Sequence, residues 1–418
     1  MVTEDHWRLA SRTVIHLKAC VVGIGRVGLP LALFLASKGV STCGLDIDEE
    51  KVGKLKQGKF PFLEEGGQRF LEANLGKRFE PTTDFSRAAD SDYIILTLGT
   101  PVDEFLNPDF SQLEKSLDSL MPHLRKGQTL LLRSTVSPRT TDYVKDLLER
   151  KKGFAVGKDF FLAFCPERIA EGKAFEELER LPEIVGGADE QSGKKAAELW
   201  KSIGKEVYVT SSINGELLKL FTNMYRYINF AIANEFMVIA EDWDANIYEI
   251  VELANKNYPR GGPKRPGFAA GPCLFKDGFF LTSNIPFPDL ISTAWTINER
   301  LPAYFVEKAK ALREIKGAKC AILGMAFKAD NDDDRASLSY KMKKVFKREL
   351  ADVHTHDVYQ NGPDFWATVK DAEFLVIATA HKEYKKPLEE YRKHMKKGAV
   401  VIDVWNVFGR KSAVFGLD

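Results

Sequence analysis

From residue 14 to about residue 135 the chain alternates short apolar runs with helix-patterned segments: HLKACVVGIG, GLPLALFLASKG, STCGLDID, DYIILTLGT and LLLRST. Short apolar runs separated by segments of helical period predict strands joined by helices, and therefore βαβ units around a parallel sheet. The runs DFFLAFCPE and EIVGG extend this domain to about residue 205. Between residues 212 and 258 the texture changes to a proline-free stretch with apolar residues at helical spacing, which predicts one long helix followed by another. The cluster YPRGGPKRPGFAAGPC that follows is incompatible with regular helix or central strand and predicts a loop. From Gly317 a second α/β pattern begins: AKCAILGMAF, a helix from about Ser337, DVHTHDVY, a helix, EFLVIATA, another helix and AVVIDVWN. The expected fold class is α/β, with two Rossmann-like doubly wound domains joined by a long central helix. The expected divisions are an N-terminal extension (1–13), a dinucleotide domain (14–205), a central helical region with a reactive loop (206–300) and a smaller C-terminal domain (301–418).

At 418 residues the chain exceeds the size at which a single core keeps growing, in agreement with several domains. Its 44% hydrophobic and 28% charged residues are ordinary for a globular protein. Sixty basic side chains nearly cancel fifty-nine acidic ones, so no global field attracts nucleic acid or an anionic membrane surface, and an anionic ligand must be held by local groups. The five cysteines are widely spaced and contain no C-x-x-C pair, which disfavours a disulfide framework or zinc site and points to a reducing cytoplasm. The start, MVTEDHWRLASRTVIHLK, has no apolar h-region, and no apolar run approaches the roughly 20 residues of a spanning helix. Neither export nor membrane insertion is expected.

The string Gly23-Ile24-Gly25-Arg26-Val27-Gly28 lies between a predicted strand and a predicted helix, and Asp46 ends the next strand 18 residues after Gly28. In that context Gly23 permits the tight turn, Gly25 admits a pyrophosphate and Gly28 allows the helix to pack closely on the strand. Asp46 would bind ribose hydroxyls and repel a 2′-phosphate, which favours NAD over NADP. Thr100-Pro101 and Ser134-Thr135 fall just past strand C-termini, on the ligand-facing edge of such a sheet.

Cys273 is the only cysteine in a glycine- and proline-rich loop, with Lys276 and Asp277 close behind it, near enough to tune a thiolate or handle protons. On the long helix Glu216, Lys219, Asn223 and Arg226 recur at three, four and three residues, on one face. Lys219 suits a developing alkoxide, and Asn223 a bound water. Glu167 follows a strand directly, where its carboxylate serves either as a general base or to orient water, while Arg168 and Glu171 fit equally well as surface ion-pair partners. In the second domain Gly324-Met325-Ala326-Phe327 lacks the full glycine pattern, which makes it a poor dinucleotide site but leaves room for another nucleotide. Lys328 and Arg335 would neutralise a diphosphate there. The acids between them lack the glycine and closing glutamate of an EF-hand, so no metal is expected.

Taken together, GIGRVGLPLA, GLDIDEEKV, the threonine-proline after the fourth strand, RSTVSPRTT, CPERIAEG, NGELLKLFTNMYRYINFAIANE, the loop into CLFKD and ILGMAFKADNDDDRAS resemble the UDP-glucose/UDP-N-acetylmannosamine dehydrogenase family over nearly the full length. The resemblance implies oxidation of a UDP-sugar C6 alcohol to a carboxylate with two NAD, Cys273 forming a thiohemiacetal and then a thioester. It implies catalytic roles for Lys219, Asn223, Asp277, Glu167 and Thr135. It implies cofactor contacts from Gly23, Gly25, Arg26, Val27, Gly28, Asp46, Lys51, Thr100, Pro101, Ser134, Thr135 and Lys276. Substrate contacts are implied for Glu167, Arg168, Lys219, Arg226, Arg260, Gly267, Phe327, Lys328 and Arg335, with a homodimer formed through the central helix and a place in surface-polysaccharide precursor synthesis. The PER motif and Tyr258-Pro259-Arg260 are similar to the N-acetylhexosamine branch, whereas the lysine of CLFKD is usual in the glucose and GDP-mannose branches, and Ala270-Gly271-Pro272 departs from the family's glycine-glycine-His/Ser. Two readings from other classes remain beside it: a two-electron dehydrogenase of the hydroxyacid or 6-phosphogluconate type, which leaves Cys273 without a role, and a non-catalytic NAD-sensing protein.

Overall fold

The computed structural model describes residues 17–282 and 288–417, so the expected extension 1–13 lies outside the described residues. The described chain divides into two compact units, residues 17–101 with 108–219 and residues 102–107 with 220–417.

The first unit is built on eight strands: β1 (Lys18–Val22), β2 (Ser41–Leu45), β3 (Phe79–Thr82), β4 (Tyr93–Leu96), β5 (Thr129–Leu132), β6 (Phe161–Phe164), β7 (Glu183–Gly187) and β8 (Val207–Ser211). They lie in the order 3-2-1-4-5-6-7-8. β4 and β5 are buried at every position and β1 at all but its first, as continuous apolar runs covered on both faces must be. The helix Gly28–Ser37 is buried from Gly28 to Ala36, apolar on all sides because sheet and neighbouring helices enclose it. A wholly parallel sheet is the expectation from the alternating pattern, but β6 and β7 run antiparallel, with Ala163 opposite Gly187 and Phe164 opposite Gly186. The reversal has a consequence for the site. It carries the start of β7, with Glu183, to the edge of the sheet where β5 and β6 end. β3 and β8 are additional strands whose polar, short runs give little apolar signal.

The long helix Ser212–Asp242 has 31 residues, beginning in the first unit and continuing into the second. Beyond it come the helix Ile247–Asn255, started by Asn246 whose side chain accepts from the Tyr248 and Glu249 N–H groups, the helix Leu274–Thr282 and the helix Asp289–Leu312. The last of these runs unbroken across the division expected at 300/301. The second sheet contains β9 (Lys319–Leu323), β10 (Asp352–His356), β11 (Phe374–Ile377), β12 (Val400–Asp403) and β13 (Val414–Gly416), in the order 10-9-11-12-13. Only β13 is antiparallel to its neighbour. The helix Leu338–Arg348 starts at the Ser337 cap, where the sequence pattern places it. No helix among the described residues is long and apolar enough to cross a membrane.

Candidate active site

The first unit carries a loop shaped for a dinucleotide. Gly23 leaves β1 with φ +89°, and a Cβ there would stand 2.7 Å from the Thr97 carbonyl oxygen. A Cβ on Gly28 would come within 2.2 Å of the Gly23 carbonyl oxygen, so helix and turn touch backbone to backbone. A Cβ on Gly25 would meet nothing within 4 Å. The space before Gly25 therefore belongs to no protein atom, and the helix that starts at Gly28 has neither a side-chain cap nor an acidic residue in its first turn. An uncapped helix start facing open space fits a pyrophosphate. Asp46 follows β2 and accepts from the Lys51 Nζ at 2.8 Å and the Asp48 N–H at 3.0 Å, so Lys51 orients the carboxylate that a ribose would meet. Arg26 lies over the Phe62 ring, 5.1 Å from its centroid. Ser134 donates to the Leu98 carbonyl, tying the ends of β4 and β5 together beside the half-buried Thr100 and Pro101 and the buried Thr135.

A carboxylate cluster lies on the same edge of the same sheet. Glu167, 7% exposed, accepts from Arg133 Nε at 2.7 Å on one oxygen and from the Arg168 and Ile169 N–H groups at 2.6 and 2.8 Å on the other. Arg133 turns its Nη1 to Glu183 at 2.6 Å, with its guanidinium 4.9 Å from the centre of a Trp200 ring. Burial pushes both carboxyls up, and Arg133 pulls both down. Glu167 ends below the usual carboxylate range because the Ile169 N–H and the charge of Lys219 add to Arg133; Glu183, which accepts from Arg133 and faces the charge of Glu167, stays above it. A carboxylate so thoroughly hydrogen-bonded is a weak base, so of the two roles open to Glu167 the geometry favours orienting water. Arg168 donates a guanidinium N–H to the Pro182 carbonyl, a local tie rather than a surface ion pair. Glu216 is not free for substrate. It accepts from the Arg139 and Thr141 N–H groups and the Thr141 hydroxyl at the start of the helix Thr140–Lys152, which removes it from the polar stripe inferred from spacing.

In the second unit the loop up to Cys273 gives way at once to the helix Leu274–Thr282. The Cys273 carbonyl accepts from the Lys276 and Asp277 N–H groups, which places this residue, the exposed one of the five cysteines, at the start of that helix. Asp277 is fully buried and accepts from Asn223 Nδ2 at 2.6 Å and Lys276 Nζ at 3.2 Å. Asn223 therefore reaches Cys273's own helix, while Arg226 is exposed on the long helix and Arg260 stands in solvent, bonded to the Tyr258 hydroxyl at 2.7 Å. The loop is pinned at Gly267, whose N–H and C=O both bond the buried Asn234 side chain, at 2.9 and 3.0 Å. A Cβ on Gly267 would strike the Trp405 ring at 2.5 Å, and one on Gly271, φ +104°, would strike Phe327 at 2.7 Å.

The second nucleotide-type loop, after β9, is built differently from the first. Asp357 follows β10 as Asp46 follows β2, but it accepts from the Met325 and Ala326 N–H groups at 2.6 and 2.9 Å and from His381 Nε2 at 3.2 Å. The N–H groups and the carboxylate that would hold a dinucleotide are bonded to each other. His381 Nδ1 accepts from the Asp330 N–H, fixing Nε2 as the protonated nitrogen and shaping the loop that bears the half-buried Lys328 and the exposed Arg335, which clamps Asp333. Arg133, Glu183, Asn234, Asp357 and His381 escape sequence reasoning. The one cue to them is a charge placed at the end of an apolar run, as Arg133 is after LLL.

The chain matches the UDP-glucose/GDP-mannose dehydrogenase family over its NAD binding domain at residues 17–204, its central domain at 214–300 and its UDP binding domain at 321–410. It belongs to that family. It is 33% identical over 403 residues to UDP-N-acetyl-D-mannosamine dehydrogenase from Pyrococcus horikoshii, covering 94% of this chain and 96% of the relative. The solved structure of the Pyrococcus horikoshii UDP-D-ManNAc dehydrogenase superposes with a TM-score of 0.89, covering 94% of this chain and 96% of that one. The native structure of the UDP-N-acetyl-mannosamine dehydrogenase from Staphylococcus aureus, 31% identical, superposes with a TM-score of 0.85 over 94% of this chain and 95% of that one. As a family member the chain is an NAD-dependent nucleotide-sugar dehydrogenase with a UDP-sugar domain.

Proposed function

We propose that this dehydrogenase oxidises the C6 hydroxyl of UDP-N-acetylmannosamine, or of UDP-N-acetylglucosamine, to the uronic acid in two hydride transfers and a hydrolysis. The observation that carries the reading is Cys273 at the start of a helix whose next turn holds Asp277, buried and bonded to both Asn223 and Lys276. Names of the relatives favour the N-acetylmannosamine substrate over glucose or GDP-mannose.

Bound NAD supplies the hydride acceptor, held by Gly23, Gly25, Gly28 and Asp46 with contacts from Arg26, Val27, Lys51, Thr100, Pro101, Ser134 and Lys276. Lys219 and Asn223 stabilise the alkoxide as the alcohol gives up its proton, and they stabilise the tetrahedral oxyanions that follow. The Cys273 sulfur adds to the aldehyde, and loss of the second hydride leaves a thioester. Covalent attachment holds the aldehyde through both oxidations. Water oriented by Glu167 and Thr135 attacks the thioester carbon, the carboxylate leaves, and the sulfur regains its proton by way of the Asp277 cluster. Arg168, Arg226, Arg260, Gly267, Phe327, Lys328 and Arg335 bind the sugar nucleotide. The protein acts in the cytoplasm as a homodimer built on the long helix, and its product feeds polysaccharide assembly.

The decisive measurement is NADH formed per UDP-sugar consumed, in the wild type and in Cys273→Ser, over UDP-N-acetylmannosamine, UDP-N-acetylglucosamine, UDP-glucose and GDP-mannose. Two NADH in the wild type and a stalled intermediate in the variant are expected; one NADH with an indifferent variant would sink the thioester route.

A further inference from the structure

A second thiol chemistry lies in the first unit, on strands rather than a loop. β1 and β2 are parallel neighbours whose register sets Cys20 directly opposite Cys43. Paired residues of parallel strands project to the same face, and both thiols pack on the apolar cluster of Leu45, Ile94 and Leu96. Cys20 is sealed, whereas Cys43 lines a cavity of about 380 Å³ whose wall also carries Lys18, Lys77, Arg78 and Arg87 against Glu80 and Asp90. The volume suits a small ligand, and the surplus of cations suits an anionic one. The neighbouring Cys20 thiol and the charge of Arg87 outweigh burial and hold the Cys43 thiol low; Cys43 beside it, with burial, pushes Cys20 up. Cys43, which reaches the cavity, is the sulfur placed to attack, and the sealed Cys20 opposite it the one placed to resolve.

We infer that Cys43 and Cys20 form a thiol–disulfide exchange site that a small anionic disulfide of the glutathione class oxidises, and that closing the bond weakens NAD binding. The Cys43 thiolate attacks one sulfur of the small disulfide, giving a mixed disulfide and a thiolate that takes up the proton. The Cys20 sulfur then attacks Cys43, expels the second small thiol and passes it the remaining proton. Two protein thiols are oxidised and one small disulfide is reduced to two thiols. The coupling is geometric. Cys20 lies three residues before Gly23 and Cys43 three before Asp46, and the Gly23 N–H donates to the Leu45 carbonyl at 2.7 Å. A disulfide brings its Cβ atoms closer than unlinked neighbouring strands hold them, so it draws together the two strand ends that carry the fingerprint turn and the ribose carboxylate.

The test uses the full chain as Cys273→Ser, so that the exposed thiol does not report, with NAD affinity as the readout rather than turnover. Incubation with oxidised glutathione, then peptide mapping, should find Cys20 joined to Cys43 while Cys165 and Cys320 stay reduced. NAD affinity should fall by about fivefold or more and return on treatment with dithiothreitol. Adding Cys20→Ser should halt the reaction at a glutathione adduct on Cys43, and adding Cys43→Ser should leave both thiol state and NAD affinity untouched. Mapping alone decides the chemistry if a variant fails to fold. Both thiols reduced in excess oxidised glutathione, or a closed bond with unchanged NAD affinity, would overturn the proposal.

Discussion

Gly25 and Gly28 stand three residues apart in one fingerprint, yet they restrict different things. A Cβ on Gly28 would meet the Gly23 carbonyl oxygen at 2.2 Å and the Thr97 hydroxyl oxygen at 2.3 Å, so Gly28→Ala should cost about 1–3 kcal/mol of stability. Gly25 faces open space, so Gly25→Ala should melt within about 1 kcal/mol of the wild type while losing NAD affinity about tenfold, as expected where a methyl meets only the ligand. Thermal melting paired with NAD titration separates them. A Gly25→Ala protein that binds NAD normally would mean the pyrophosphate lies elsewhere. Arg133 makes a different kind of prediction. It lowers two buried carboxylates at once, so Arg133→Met removes the main counter-charge of both and should cost about 3–5 kcal/mol near neutral pH. The sign of the pH dependence follows from Arg133's effect on its partners. Without Arg133 the folded-state pKa values of Glu167 and Glu183 rise, protonation relieves the repulsion, and the deficit against wild type should narrow as the pH falls through the carboxylate range. Urea melts at several pH values measure this directly, and a deficit that widens in acid would contradict it.

At the scale of elements, the loop before Cys273 depends on one side chain of the long helix. Asn234 bonds both the N–H and the C=O of Gly267 and also donates to Asn298 Oδ1, all out of water. Asn234→Ala leaves those groups unpaired and should cost about 2 kcal/mol, with proteolysis appearing first between residues 258 and 272. The corresponding clasp in the C-terminal sheet is Asp357. Burial would raise it, but the bonds from His381 and from the Tyr359 and Ala326 N–H groups bring it to about 2. A depressed carboxylate stabilises the fold above its unfolded value and loses that contribution as the pH drops toward 2, so Asp357→Asn should flatten the acid limb of the stability curve. These clasps were the illegible part of the sequence. The glycine fingerprint, the strand-end Asp46 and the glycine-proline loop show locally, because turn geometry and strand period are properties of neighbouring residues. Asn234 and Asp357 are ordinary polar residues until the fold brings Gly267 or Met325 to them. The antiparallel β7 was hidden for the same reason: EIVGG reads as a strand in either direction, and only tertiary pairing sets its sense.

For the whole molecule, the long helix leaves an apolar stripe uncovered. Phe221, Tyr225, Ile232, Phe236 and Ile239 are 36% or more exposed, and their spacings of four, seven, four and three residues keep them on one face. Scattered single apolar side chains on a surface need no explanation, but a continuous helical stripe of aromatic and branched residues is what an isologous two-fold contact buries. A second copy of the same helix is the simplest self-complementary partner, and this is the ground on which the homodimer is proposed. Sedimentation should then give a dimer for the wild type at micromolar concentration. Phe236→Glu combined with Ile239→Glu places two charges in the stripe and should give a monomer. Because neither residue belongs to the fingerprint loop, Asp46 or the Cys273 helix, the monomer should still bind NAD with wild-type affinity. Loss of NAD binding together with the dimer would show instead that these substitutions unfold the helix, and a wild type that sediments as a monomer would refute the stripe as an interface.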